Sequence, residues 1–202
     1  MSCWNSHRRG IVASALAGAL AAIVGCSSSP PTRFYTLSET APEARSAPPG
    51  VGPVRIARVT IPGELDRPEL VRRLDPNRLG IDELDRWAAP LDEMIQRVLS
   101  EDVNRRLRAE SATGAGESSR ATQQHAVSVD IREFYGDAAC NVTLHAAWAP
   151  EQPPPRPAEP VTEEIHVAAS GACPGTLAAT MSIALGQLSD RIIAGVASRA
   201  AR

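Results

Sequence analysis

The chain has 202 residues, enough for one domain with a proper core even after a leader is removed. Its apolar share of 43% is ordinary but only 3% is aromatic, so Val, Leu, Ile and Ala must build that core. All 21 basic residues are Arg, scattered rather than clustered, and the formal net charge of -2 argues against nucleic acid, which needs a basic face.

His7, Arg8 and Arg9 precede an apolar run from Ile11 to Val24, and Gly25 and Cys26 follow it. A basic start, a short apolar stretch and small residues at the junction are the layout of a secretory signal over residues 1–25. The run is too short and too diluted by Ala, Gly and Ser to span a bilayer, which takes about 20 apolar residues. Ile23-Val24-Gly25-Cys26 resembles the bacterial lipobox, in which cleavage leaves the cysteine first and lipidated. An ordinary secretory signal with an incidental cysteine fits less well, because Ser27-Ser28-Ser29-Pro30-Pro31 reads as a tether. Ser27 after the cysteine resembles the pattern passed to the outer membrane. Arg8-Arg9 lacks the rest of a twin-arginine motif. Loss of both arginines brings the mature charge to about -4.

Residues 26–53 are expected to form a flexible tether, rich in Pro, Ala, Gly and Glu over 38–53. It carries one β-prone island, Phe34-Tyr35-Thr36-Leu37, expected to pair as an edge strand. Residues 54–202 are then a single periplasmic domain. Val54 to Ile61 is a predicted strand whose apolar parity switches midway, as a bulge or burial on both faces requires. Leu70 to Ile81 is a predicted hairpin around Asp75-Pro76-Asn77. Leu91 to Leu107 is a predicted helix with an apolar stripe through Met94, Ile95, Val98, Leu99 and Val103. Pro90 suits its first turn, and Asp92 and Glu93 at one end with Arg105, Arg106 and Arg108 at the other complement its dipole. A polar loop over 111–124 leads to three alternating strands at 127–131, 140–148 and 165–169. A Pro-rich loop over 150–160 separates the last two. A helix over 177–196 closes the chain. Leu177, Met181, Leu185, Leu188 and Ile192 line one face, and Ala178, Ala179 and Ser182 are either plain surface or a close contact with another subunit. The predicted class is α+β: two helices on one face of an antiparallel sheet.

Cys140 and Cys173 remain in the mature chain, in an oxidising compartment. Pairing Trp148 with Glu163 across the Pro-rich loop brings Cys140 within two residues of Cys173, both facing the core. A disulfide or two buried free thiols satisfy that placement. A zinc site from Cys140, His145, His166 and Cys173 has the right residue types but the wrong parity, since the histidines alternate to the other face. No nucleophile elbow, phosphate loop or His-Glu-x-x-His pattern is present, so no enzyme, metal or cofactor is expected.

Phe34-Tyr35-Thr36-Leu37, Val59-Thr60-Ile61-Pro62 running into Leu65-Asp66-Arg67-Pro68-Glu69-Leu70-Val71, and Arg86-Trp87-Ala88-Ala89-Pro90-Leu91 together resemble the PqiC/YmbA group of ABC-type transport auxiliary lipoproteins. The resemblance covers nearly the whole mature chain. It implies a non-catalytic adaptor, lipid-anchored at Cys26 to the outer membrane and facing the periplasm. Its partners would be an MCE-domain protein and an ABC permease that move lipid between membranes in support of envelope integrity, with a homo-oligomer a further expectation. Another non-catalytic role, in outer-membrane or cell-wall assembly, is the alternative. Asp66, Arg67 and Pro68 are either a partner-binding turn or a loop shaped by a local Asp66–Arg67 ion pair. Trp87 is either a partner anchor or a plug between helix and sheet.

Overall fold

The structure is a computed structural model that describes residues 30–40, 52–112, 125–151 and 158–200. Cys26, the signal, much of the tether and most of both loops lie outside these residues. The elements run β1 (Arg33–Tyr35), β2 (Val54–Thr60), β3 (Glu69–Asp75), β4 (Arg78–Trp87), α1 (Leu91–Ala112), β5 (His125–Gly136), β6 (Val142–Pro150), β7 (Val161–Val167) and α2 (Leu177–Ala200).

The fold is α+β, with seven strands in one sheet ordered β1-β4-β3-β5-β6-β7, and β2 also paired to β5. The sheet is mixed, where an antiparallel one was expected. β1 runs parallel to β4, and β2 and β3 both run parallel to β5. Parallel neighbours need a long crossover, and the span containing β3, β4 and α1 supplies it between β2 and β5. β2 and β3 share one edge of β5: β2 takes Val54–Thr60 against His125–Asp130, and Arg72 of β3 meets Gly136. The parity switch in β2 is a register shift between Ile56 and Arg58. The hairpin turns at Asp75, but β4 runs six residues past Ile81, to Trp87.

One face of the sheet carries the core. Val127, Val129, Ile131, Phe134, Leu144, Ile165 and Trp148 are buried there with the apolar stripes of both helices. α1 runs five residues past Leu107, so Arg105, Arg106 and Arg108 do not sit in its last turn. Trp148 pairs with Val161, not Glu163, and every partner moves by two residues. Side chains alternate with period two, so this slip keeps each one on its expected face. β6 begins at Val142 rather than Cys140. Cys140 belongs to a turn, with φ at 64°, where Asp137 accepts bonds from Ala139 and Asn141.

The unit that holds the sheet and both helices spans Thr32–Arg202. β1 pairs with β4 at the sheet edge, and the chain continues as a strap over residues 36–40 between the helices. Leu37 is buried, and its carbonyl accepts a bond from Arg97 at 2.9 Å. The Ser38 amide donates to Ser182 Oγ at 3.1 Å, and the Thr40 amide to Asp102 Oδ1 at 2.9 Å. Ser182 and Gly186 of α2 therefore meet this chain's own strap, whereas Ala179 is exposed. A side chain at Gly186 would collide with Thr40.

Candidate functional site

The turn joining β2 to β3 is built by bonds from the Leu65 amide to the Pro62 carbonyl and from the Asp66 amide to the Gly63 carbonyl. Leu65 is buried beneath it, and Asp66, Arg67 and Pro68 are exposed. Arg67 pairs with Glu69 at 3.1 Å, not with Asp66, and Glu69 also pairs with Arg86 at 3.3 Å. Arg67 leads the causes that hold the Glu69 carboxyl below its ordinary range. The Trp87 amide donates to the Pro68 carbonyl, which brings the two sequence motifs together through backbone. The Trp87 side chain is buried in the core between helix and sheet, so it offers no surface to a partner.

The same turn reaches the helix-free face of the sheet. Tyr135 donates its hydroxyl to Glu64 at 2.7 Å, and Arg73 lies 4.5 Å over the Tyr135 ring. Burial first, and then the bond to Glu64, push the Tyr135 phenol well above its ordinary value; the same bond lowers Glu64. The pair is a fixed link between phenol and carboxylate, with no proton to exchange near neutral pH. Beside it opens a cleft of about 870 Å³ lined by Arg73, Leu74, Glu133, Tyr135, Thr143 and His166. His145 and His166 do not face each other across the strands as expected. The two-residue slip sets both against Glu164, at 3.6 and 2.9 Å, and puts His166 opposite Thr143.

Cys140 and Cys173 are joined as a disulfide, with Cα atoms 5.4 Å apart. It ties the turn after β5 to the loop before α2, next to the cleft wall at Asn141. Among the described residues no cluster of three or more His, Cys, Asp or Glu side chains could hold a metal. No helix among them is long and apolar enough to cross a membrane.

Two groups of residues were not singled out by the sequence. One is Arg73, Glu64 and Tyr135, which sequence-distant strands assemble and no local signal marks. The other is Asp102 and Arg106, both buried, and Asp190. Arg106 reaches Asp102 Oδ1 at 3.0 Å, the Gly186 carbonyl at 3.0 Å and Asp190 Oδ1 at 2.5 Å. A signal existed here, because 95, 99, 102 and 106 fall on the apolar stripe of α1 at helical spacing.

At the sheet edge, Asp85 is buried and accepts bonds from Arg33 at 2.6 Å and Tyr35 at 2.9 Å. Burial pushes its carboxyl up, but the bonds from Arg33 and Tyr35 outweigh that, and its pKa falls below the ordinary range. The folded value lies below the unfolded one, so the stabilisation is complete above the unfolded pKa and drains as pH falls through the folded one. Asp85→Asn should therefore lower the urea midpoint at pH 7 and narrow the gap to wild type on acidification. A gap that stays constant down to pH 2 would contradict this.

A family model described as "ABC-type transport auxiliary lipoprotein component" matches residues 35–193. Protein XCC0632 from Xanthomonas campestris, assigned to the DUF330 family, has a similar fold at 15% identity and a TM-score of 0.64. That similarity covers 84% of this chain and 99% of that one. An uncharacterized protein of known crystal structure is similar at 14% identity and a TM-score of 0.64, over 83% of this chain and 99% of that one. No curated protein matches.

Proposed function

Since this chain belongs to the PqiC/YmbA-like family of ABC-type transport auxiliary lipoproteins, we propose that it is the non-catalytic, membrane-anchored adaptor of an MCE/ABC-type system that moves lipid between the two membranes of the envelope. The observation that carries this reading is the family match over residues 35–193, preceded in the sequence by a lipobox ending at Cys26. Cys26 bears the acyl chains. Each buried methylene contributes about 0.8 kcal/mol, so several chains hold almost permanently where one holds marginally. Ser27 supports delivery to the outer membrane, with the domain in the periplasm. The exposed Asp66–Pro68 turn is the surface offered to the MCE-domain partner, and Glu69 holds Arg67 in place there.

The test is capture of the lipidated protein with MCE-domain proteins from solubilised envelopes. Wild type should retain an MCE-domain protein, and Arg67→Ala should weaken that capture about tenfold or more. Cys26→Ser should release the protein from the membrane fraction. Retention of a cell-wall synthase alone would overturn the transport reading. Function lost on replacing His145 and His166 together, with the fold intact, would overturn the non-catalytic one.

A further inference from the structure

We infer that the β1 edge of the sheet, centred on Phe34, rests on the lipid surface that holds the anchor. The inference depends on lipidation at Cys26. Its first support is chain length. The unit that holds the sheet starts at Thr32 and β1 at Arg33, so few residues of sequence separate Cys26 from the sheet edge. Seven peptide steps separate Cys26 from Arg33. Fully extended they reach about 25 Å at most, and the interfacial layer of a bilayer leaflet takes up several of those. A domain of this length has a radius of gyration of about 15 Å, so that stretch, even fully extended, is shorter than the domain is wide. β1 is therefore the part of the domain that the anchor keeps nearest the bilayer.

The second support is what that edge displays. The chain has two Phe residues. Phe134 is fully buried, whereas Phe34 is 67% exposed on a three-residue edge strand. Phe34 pairs with Arg86 on β4, and the half-exposed Leu84, two residues before Arg86, shares its side of the sheet. Arg86 lies beside Phe34 on that side and is matched by Glu69, while Arg33 turns to the other side of the strand and is matched by Asp85. An apolar ring beside a long amphipathic side chain suits the headgroup boundary. The balanced charge means that the contact depends on the ring and should change little with salt.

The experiment uses the lipidated full-length protein in phosphatidylethanolamine–phosphatidylglycerol vesicles that carry a nitroxide near the headgroup. Phe34→Trp adds a reporter at an exposed site over the buried Trp87 and Trp148. We expect at least twofold quenching of the added emission relative to nitroxide-free vesicles. Inserting about twelve Gly/Ser residues between Ser29 and Pro30 should remove more than half of that quenching. An unquenched reporter on a protein whose acyl chains are confirmed by mass overturns the inference and leaves the anchor standing. A blue-shifted but unquenched reporter marks a protein occupant and also overturns it. Quenching that ignores the insertion overturns the length argument. Absence of acyl chains overturns the anchor and the inference together.

Discussion

Arg106→Ala should cost the fold about 3–5 kcal/mol, because it leaves a carboxylate buried without its counter-charge. Asp102 is fully buried, and its Oδ2 already lacks a hydrogen-bond partner among the described residues. The guanidinium of Arg106 meets Asp102 on its own helix and Asp190 and the Gly186 carbonyl on α2. The Thr40 amide meets the same Asp102 oxygen, so the loss should also loosen the strap. Urea denaturation measures the first effect, and limited proteolysis near residue 40 the second. Replacing Asp102 with Leu and Arg106 with Met together should recover most of the loss, since a well-packed apolar pair avoids desolvating two charges.

The pH dependence adds a check on the same group. Burial raises the Asp102 carboxyl despite the pull of the Thr40 amide and Arg106. The folded state then holds that proton more tightly than the unfolded one, so acidification from above the folded value towards the unfolded one favours folding at this residue. Without Arg106 the upward shift should grow. The deficit of Arg106→Ala should therefore shrink as pH falls towards the ordinary carboxylate range. A deficit below 1 kcal/mol at pH 7 would mean that the pair does not bear on stability as argued.

Replacing Cys140 and Cys173 together with alanine should cost about 3–4 kcal/mol. The disulfide closes a loop with a sequence separation of 33, and cross-linking a loop of that length removes conformational freedom from the unfolded chain. The bond also pins the loop before α2 to the turn at Asp137–Asn141, where the Ala169 amide donates to Asn141 Oδ1. Reductant should lower the wild-type urea midpoint to that of the double variant and leave the variant unmoved. A wild-type midpoint indifferent to reductant would mean that the two sulfurs do not act as a cross-link. Loss of both the disulfide and Arg106 should be additive, because the two lie in separate contacts.

Local chemistry made much of this legible from residue order. Apolar residues at helical spacing marked both helices, and alternation marked β5, β6 and β7 with the correct faces. The faces agree although the β6–β7 register lies two residues from the expected one, because a shift by one full period returns every side chain to its own side. The bulge in β2 was visible as a parity switch. Leu37 and Phe34 were harder to read. A short island in a Pro-rich stretch does not reveal that it pairs with β4, nor that its sequel threads between two helices.

Periodicity, turn residues and the lipobox are properties of neighbours along the chain, so the sequence by itself determined the α+β class, the element order, the buried stripes and the anchor expected at Cys26. The partners of each strand were decided only by the tertiary structure, because parallel pairing of β2 with β5 and of β1 with β4 closes loops whose ends carry no mutual mark. The same holds for the Arg106 network and the Tyr135–Glu64 link. Each depends on residues far apart in sequence that meet only when the helices and the sheet share one core.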